Sequence, residues 1–392
     1  MSFPDLSHCV QALGAICLAG AVVGCAFTLA EIYFVLRFPR RVACGVATPP
    51  SMTVLKPLHG WEPGLRDRLR RLCTQRYDGA VQIVCGAHGD MSVAAEISAL
   101  KEEFPDCDIA LVADPRSHGS NGKISNLVNM LPHARYDTIV VSDSDIEVDE
   151  DYLSALAALL EQPRVGAVTC LYYGTGETWW QRLSALAITA RYLPQIILSI
   201  GLGVSQHCCG ATIALRRPVL EEIGGFAAFA DELADDHAIG AAVRTAGYDI
   251  VTAPFLVGHR CLETGLRDYC QRQLRAARTV RSVAPVGHAG TLLGHTLPLA
   301  ALGALSGSSV AALIAGLTLT TRVLLYLCMA RRFDLARRDC WLLPLHDMLA
   351  FAVFLASFFG RTVHWRGADY RVTAKGALIE RAAEGYLSAE SS

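Results

Sequence analysis

Two short acidic stretches carry the residues of this chain best suited to chemistry. The first is TIVVSDSDIEV, residues 138–148, where an apolar, β-compatible run ends on Ser142, Asp143, Ser144 and Asp145. In an extended segment, residues i and i+2 point the same way, so Asp143 and Asp145 are expected to share one hard cation. Mg²⁺ or Mn²⁺ takes oxygen ligands and is commonly held by one or two carboxylates together with substrate phosphates. A solvated loop is the plainer alternative, but an Asp-x-Asp that follows an apolar strand favours the metal site.

The second is FADELADDHAIGAAVRTAGYDIV, residues 229–251, in which Asp235 and Asp236 precede a small-residue helix expected over 237–246. Either carboxylate could cap the free N–H groups of that helix. A carboxylate at a helix start is also placed to act as general base toward a hydroxyl. Neighbouring residues can fill both roles. Upstream, GSNGKISNLVNML sets Lys123 between Asn121 and Asn126 at a helix start. Such donors suit an anion, although a solvated lysine would look the same. Downstream, RDYCQRQLRAARTVR spaces Arg272, Arg275, Arg278 and Arg281 along one helix face. That pattern reads as a solvated or membrane-surface stripe, or as a place where Arg275 holds a diphosphate leaving group.

The elements that must position these residues alternate. Strands are expected at Met52–Leu55, Val81–Cys85, Ile109–Val112 and 138–142, with helices at 63–73, 92–103 and 122–131 between them. Such alternation implies an α/β domain with a parallel, doubly wound sheet. Ligands gather at the carboxyl ends of strands in these folds, which is where Asp143 and Asp145 fall. No Gly-x-Gly-x-x-Gly lies between a strand and a helix, so a dinucleotide-binding oxidoreductase is disfavoured.

Composition bounds the class. The 392 residues are 52% hydrophobic and only 18% charged, with a mean hydropathy of +0.32 and a net charge of −2. That is too apolar for a wholly soluble enzyme, and it offers no basic field for nucleic acid. The 14 cysteines contain no Cys-x-x-Cys, and Cys208 and Cys209 are adjacent, which points to reduced thiols used as small hydrophobes.

Residues 10–36 are apolar apart from Gln11, Thr28 and Glu31, long enough to cross a bilayer, and followed by Arg37, Arg40 and Arg41. The positive-inside rule puts the N-terminus outside and the following domain in the cytoplasm. A cleaved signal peptide would need a basic start and a small-x-small site, and neither is clear. Further apolar stretches occupy 290–306, 309–330 and 341–360, with Arg331, Arg332, Arg337 and Arg338 between the last two. Three full crossings would put the tail outside, whereas Arg361, Arg366, Arg371 and Lys375 ask for the inside, so one segment is expected to be re-entrant or interfacial. The stretch 179–203 contains Arg182, Arg191 and Pro194 and is expected to lie in the headgroup layer as an amphipathic helix, a buried domain helix being the alternative.

TVLKPLHGWEPGL, GSNGKISNLVNM, SDSDIEV, GATIALRRPVLEEIGGF, LADDHAIG and RQLRAAR, in this order, resemble the membrane-bound ceramide glucosyltransferase group. Within it they are most similar to the bacterial hopanoid-biosynthesis-associated glycosyltransferases. The resemblance covers residues ~52 to ~282, and the flanking membrane segments also match. It implies a GT-A nucleotide-diphospho-sugar transferase domain with a Rossmann-like, mostly parallel sheet over 42–282. Membrane segments would flank it at 1–41 and 283–361, with a tail at 362–392. It further implies a UDP-sugar donor, a divalent cation (Mg or Mn), an inverting displacement and a membrane lipid acceptor, either a hopanoid or a ceramide. The location implied is the bacterial inner membrane, with the catalytic domain facing the cytoplasm. Residue by residue, Asp143 and Asp145 stand at the metal and diphosphate motif, Asp236 at the catalytic base, and Arg272 and Arg275 at the Q/R-x-x-R-W motif. The tryptophan of that motif is Ala276 here. For the earlier nucleotide-binding aspartate the chain offers Asp90, or His88 in strict register. A processive polysaccharide synthase, or a membrane scaffold with a degenerate transferase domain, would share much of this pattern.

Overall fold

The structure, a computed structural model, describes residues 6–39, 48–204, 206–360, 362–365, 368–372 and 378–380. Arg40, Arg41, Arg361, Arg366 and Lys375, on which the expected orientation partly rests, lie outside the described residues, as does the end of the 362–392 tail. The chain divides into two compact units. One comprises Met1–Phe38, Gly176–Val204 and Glu263–Trp365; the other comprises Pro39–Thr175, Ser205–Leu262 and Arg366–Ser392.

The second unit is built on an eight-stranded sheet. Its strands are β1 Met52–Pro57, β2 Val81–Gly86, β3 Asp108–Val112, β4 Thr138–Ser142, β5 Ile146–Glu147, β6 Val165–Thr175, β7 Thr212–Arg216 and β8 Asp249–Arg260. The order across the sheet is β3-β2-β1-β4-β7-β6-β8-β5. The first four run parallel, as the strand–helix alternation implies. The sheet is mostly parallel, as expected, with two reversals on the far side: β7 runs antiparallel between β4 and β6, and β5 runs antiparallel to β8. Local hydrophobic patterning fixes which residues form strands but carries no strand direction, so these reversals were not visible in it.

Both faces of the sheet are covered. Val140 packs with Leu69, Ile97 and Leu156 on one face, whereas Ile139 and Val141 pack with Ile124, Leu127 and Ile239 on the other. This alternation gives β4 its continuous apolar run: a strand buried on both sides has no polar face. The run ends where the strand leaves the core, and Asp143 is the first residue beyond it.

The first unit is helical. Among the described residues, Ser7–Arg37, Trp179–Gly201, Ala311–Arg332 and Cys340–Ser357 are long and apolar enough to cross a membrane. Pro285–Gly294 and Thr296–Ser306 would add a fifth span if their 63° bend is one broken segment. Such a bend is that of a broken span or of a re-entrant loop. Pro194 does not end the helical stretch Trp179–Gly201. A π-helical run, Ala187–Tyr192, precedes Leu193–Gly201, and the Ala190 carbonyl, which Pro194 has no N–H to meet, accepts from Arg322 at 2.8 Å.

Small residues allow close helix contact in this unit. A Cβ on Gly24 would lie 2.2 Å from the Leu293 carbonyl oxygen, and one on Gly14 would lie 2.6 Å from the Ser306 nitrogen. A buried ion pair joins two of its helices. Arg322 holds Asp347 through two hydrogen bonds of 2.9 and 2.8 Å and donates to the Ala190 carbonyl at 2.8 Å. The arginine stripe on the helix Leu266–Val283 is corrected in part from a solvated face. Arg278 donates to the Phe359 carbonyl and Arg281 to that of Gly360, each at 2.7 Å. Carbonyls at a helix end lack intrahelical partners, and these guanidinium groups supply them.

Candidate active site

Asp143 and Asp145 occupy the carboxyl end of β4, but not in an extended segment. The Ile146 N–H donates to the Asp143 carbonyl at 3.2 Å, so residues 143–146 form a turn between β4 and β5. The expectation that strand alternation aims both carboxylates the same way is therefore replaced by a turn that sends them to different partners. Asp143 Oδ1 lies 2.7 Å from Lys123 Nζ, whereas Asp145 Oδ1 lies 3.2 Å from His259 Nδ1 on β8. β8 reaches this point because it pairs with β5, placing His259 opposite Ile146. The His259 ring rests against Tyr172 with centroids 5.5 Å apart.

Lys123 lies in the first turn of the helix Gly122–Met130, whose N-terminus is capped by Asn121 accepting from Lys123 N and Ile124 N at 2.9 and 3.1 Å. Its ammonium meets carboxylates rather than the free anion suggested by its sequence context. It touches Asp143 and also lies 3.2 Å from Asp235 Oδ2. Burial opposes the charge on Lys123, but Asp143 and Asp235 outweigh it and raise the ammonium pKa above its ordinary value.

Asp235 and Asp236 open the helix Asp235–Thr245 from inside its first turn. The cap position is Ala234, which makes no side-chain capping bond, but Asp236 meets one free N–H of the first turn, accepting from His237 N at 2.7 Å. The two carboxylates part company. Asp235 is buried, faces Lys123 and accepts from Asn121 Nδ2 at 3.4 Å. Asp236 is half-buried and accepts from the Gly210 N–H at 2.9 Å. Burial, followed by the Asp235 charge, pushes the Asp236 carboxyl up to about 6.

Asp90 is exposed just beyond β2, where its side chain accepts from the Ser92 N–H at 2.9 Å and caps the short turn Met91–Val93. That bond holds its carboxyl below the ordinary value. His88, the alternative, adopts a left-handed backbone. Arg272 and Arg275 lie in the helical unit, and Arg272 Nε is 3.1 Å from the buried Glu263.

Asp143, Lys123 and Asp235 thus form one chain of contacts joining three strand or helix ends of the sheet unit, and Asp236 stands next to it on Gly210. His259 was missed in the sequence. Its signal was its place at the end of the apolar run FLVGHR, equivalent to that of Asp143 after TIVVS. Among the described residues, no group of three or more His, Cys, Asp or Glu is arranged to hold a metal ion. The carboxylate oxygens of Asp143 and Asp145 are of the donor type that Mg²⁺ or Mn²⁺ takes, and such an ion would need its remaining ligands from substrate phosphate. The described cysteines are all free.

Comparison with known proteins gives this site its setting. Ceramide glucosyltransferase 1 of Caenorhabditis elegans is 23% identical over 239 residues, which is 59% of this chain and 50% of that protein. An N-acetylglucosaminyltransferase of Rhizobium meliloti is 22% identical over 239 residues, 59% of this chain and 55% of the relative. The chain therefore spans about half the length of the curated relatives it matches. Among solved structures, the mannosyltransferase PcManGT from Pyrobaculum calidifontis, in complex with GDP-Man and Mn2+, matches with a TM-score of 0.56 at 21% identity. That match covers 88% of this chain and 99% of the other, and it shows that the sheet unit has the GT-A glycosyltransferase fold, alongside several apolar helices. A family model described as Glycosyl transferase family 21 matches residues 16–378, which takes in the helical segments as well as the acids at 143–145 and 235–236. Motifs, fold and the reach of that match agree, and the chain belongs to glycosyl transferase family 21.

Proposed function

We propose that this chain is an inverting glycosyltransferase that moves a hexosyl group from a UDP-sugar to the hydroxyl of a membrane lipid. The observation that carries this reading is the division of labour between neighbouring aspartates. Asp235 is committed to Lys123, while Asp236 remains half-buried with its carboxyl raised to about 6. A carboxylate of that pKa is ionised at neutral pH yet basic enough to accept a proton in the transition state.

Asp236 takes the proton of the acceptor hydroxyl as its oxygen attacks the anomeric carbon. The bond to the UDP oxygen breaks on the opposite face, and its electron pair leaves with UDP. One displacement inverts configuration, so a UDP-α-sugar gives a β-glycoside. Asp143 and Asp145 would hold a divalent cation (Mg or Mn), which when bound offsets the charge of the departing diphosphate. Gly210 fixes the carboxylate of Asp236 through its N–H. Asp90, exposed past the end of β2, serves the nucleotide, Arg272 and Arg275 serve the diphosphate as the motif they match implies, and Lys123 acts through Asp143, which it holds.

The acceptor is a hydroxyl-bearing lipid, a hopanoid or a ceramide, and the donor sugar is N-acetylglucosamine or glucose accordingly. The names of the relatives and the apolar helices support this. The helical segments, with the stretch 179–203 at the headgroup layer, anchor the enzyme in a bacterial inner membrane with its catalytic unit toward the cytoplasm. The test is mass spectrometry of membrane lipids from cells with and without the chain, repeated with Asp236→Asn. A lipid gaining one hexose or N-acetylhexosamine only with the unmodified chain is expected. A polymeric product, or transfer confined to soluble acceptors, overturns the assignment.

A further inference from the structure

One charged cluster of the sheet unit has no part in the scheme above: Lys56, Glu62 and Arg68 in LKPLHGWEPGLRDR, residues 55–68. Lys56 lies on β1, the central parallel strand beside β4, and is 0% exposed. Arg68, on the helix Leu65–Cys73, is 2% exposed. Placing two cations in a protein interior costs several kcal/mol unless their donors are well used. The partners of both converge on one short segment.

Lys56 Nζ donates to Ser142 Oγ at 3.2 Å and to the Ile146 carbonyl at 3.3 Å, the two ends of the turn that carries Asp143 and Asp145. Arg68 Nε donates to the Ser144 carbonyl, in the middle of that turn, at 2.7 Å. Its other two nitrogens are anchored, Nη1 on the Pro63 carbonyl at 2.9 Å and Nη2 on Glu62 Oε2 at 3.1 Å. Glu62 closes the loop by accepting from Ser144 Oγ at 3.1 Å. Three residues remote in sequence thus grip Ser142, Ser144 and Ile146, which alternate with the two aspartates.

The physical need is clear. Two carboxylates two residues apart repel each other, and a turn carrying them would relax unless held. A buried ammonium and a buried guanidinium supply both the hydrogen bonds and compensating charge. The guanidinium suits its place because its rigid planar fork spans three separated oxygens from three nitrogens, whereas a lysine offers its three donors from one nitrogen.

We propose that Lys56, Glu62 and Arg68 are positioning residues that fix the Ser142–Ile146 turn, and with it the placement of Asp143 and Asp145 for donor turnover. This rests on the proposed transferase reaction. The decisive variant is Arg68→Lys, which keeps the charge and removes the fork. Glu62→Gln is a milder second variant that retains the volume and loses the ionic anchor of Arg68.

The experiment uses the full-length chain purified in lipid, with kcat and KM for the lipid acceptor, thermal melting, and calorimetric binding of UDP with Mn²⁺. Both variants are expected to melt cooperatively and to keep the acceptor KM, while kcat falls on the order of 10–100-fold, the scale of a misplacement near 1 Å. UDP–Mn²⁺ binding is expected to weaken in parallel. A folded Arg68→Lys protein with wild-type kcat and UDP–Mn²⁺ affinity overturns the proposal. If Arg68→Lys does not fold, Glu62→Gln decides by the same criteria. If the unmodified chain transfers no sugar, the transferase reading fails separately and calorimetry alone decides: weaker UDP–Mn²⁺ binding in the variants supports positioning, and unchanged binding refutes it.

Discussion

The Gly210 N–H donates to Asp236 Oδ2 at 2.9 Å, and a Cβ on Gly210 would lie 3.3 Å from both that oxygen and Lys123 Nζ. Neither neighbour is loose, since Lys123 is held by two carboxylates and Asp236 by a helix start. Gly210→Ala should therefore shift the base by a few tenths of an ångström. We expect kcat to fall on the order of 10-fold with little change in melting temperature, measured by steady-state transfer and by calorimetric melting. A variant with unaltered kcat would show that this contact does not aim the base.

Removing the base itself should separate binding from chemistry. Asp236→Asn keeps the shape and the acceptor for the Gly210 N–H but cannot take a proton. Its kcat should fall by on the order of 10²–10⁴-fold while UDP binding stays within a few-fold. Asp235→Asn should instead act on Lys123 and weaken donor binding. Equal activity of Asp236→Asn and the unmodified chain would remove Asp236 from the mechanism.

The pH dependence follows from the same carboxyl. With its pKa raised to about 6, transfer should rise with pH through that value and level off above it, because only the ionised form is a base. Stability should move the other way. A carboxyl at about 6 when folded, against 3.8 ordinarily, binds its proton more tightly in the folded state. Its contribution favours folding at low pH and is lost as pH rises from about 4 to about 6. Asp236→Asn should thus melt higher than the unmodified chain at pH 7.5, and the gap should close below pH 4. Melting curves across that range check both signs.

Lys123 and Asp143 form the tightest link of the site at 2.7 Å, with the lysine side chain 10% exposed and the aspartate 32%. Lys123→Met leaves Asp143 and Asp235 without their shared cation and should destabilise the fold by about 2 kcal/mol, discounted for the open side of Asp143. The double variant with Asp143→Asn should recover part of that loss, since one of the orphaned charges is gone. Denaturation of the four proteins in a double-mutant cycle measures the coupling. A coupling near zero would mean the contact is incidental.

In the helical unit, Arg322 and Asp347 are both nearly inaccessible and joined by two hydrogen bonds. Arg322→Met strands a buried carboxylate and should cost about 3–5 kcal/mol. Pairing it with Asp347→Leu should restore most of the melting temperature. Detergent melting followed by size-exclusion chromatography distinguishes these outcomes.

The sequence by itself determined what local pattern can carry. The apolar run at 138–142 became β4 with those bounds, the helices after β1, β2 and β3 fell where the alternation put them, and the long apolar segments became long apolar helices. Short-range spacing encodes burial and backbone period, so these features are legible without a fold. Six ordered motifs likewise sufficed to indicate the family.

Only the tertiary structure decided which charges meet. Lys123 looks like a phosphate donor until the helix at 235 brings Asp235 beside it; Asp235 and Asp236 look interchangeable until one faces that ammonium and the other faces Gly210. His259 and Arg68 acquire meaning only because β5 pairs with β8 and the helix Leu65–Cys73 lies against the turn after β4. Arg68 and Ser144 are 76 residues apart and Asn121 and Asp235 are 114, and strand order and direction bring them together. A charge's role depends on its nearest opposite charge in space, and spacing along the chain does not specify that neighbour.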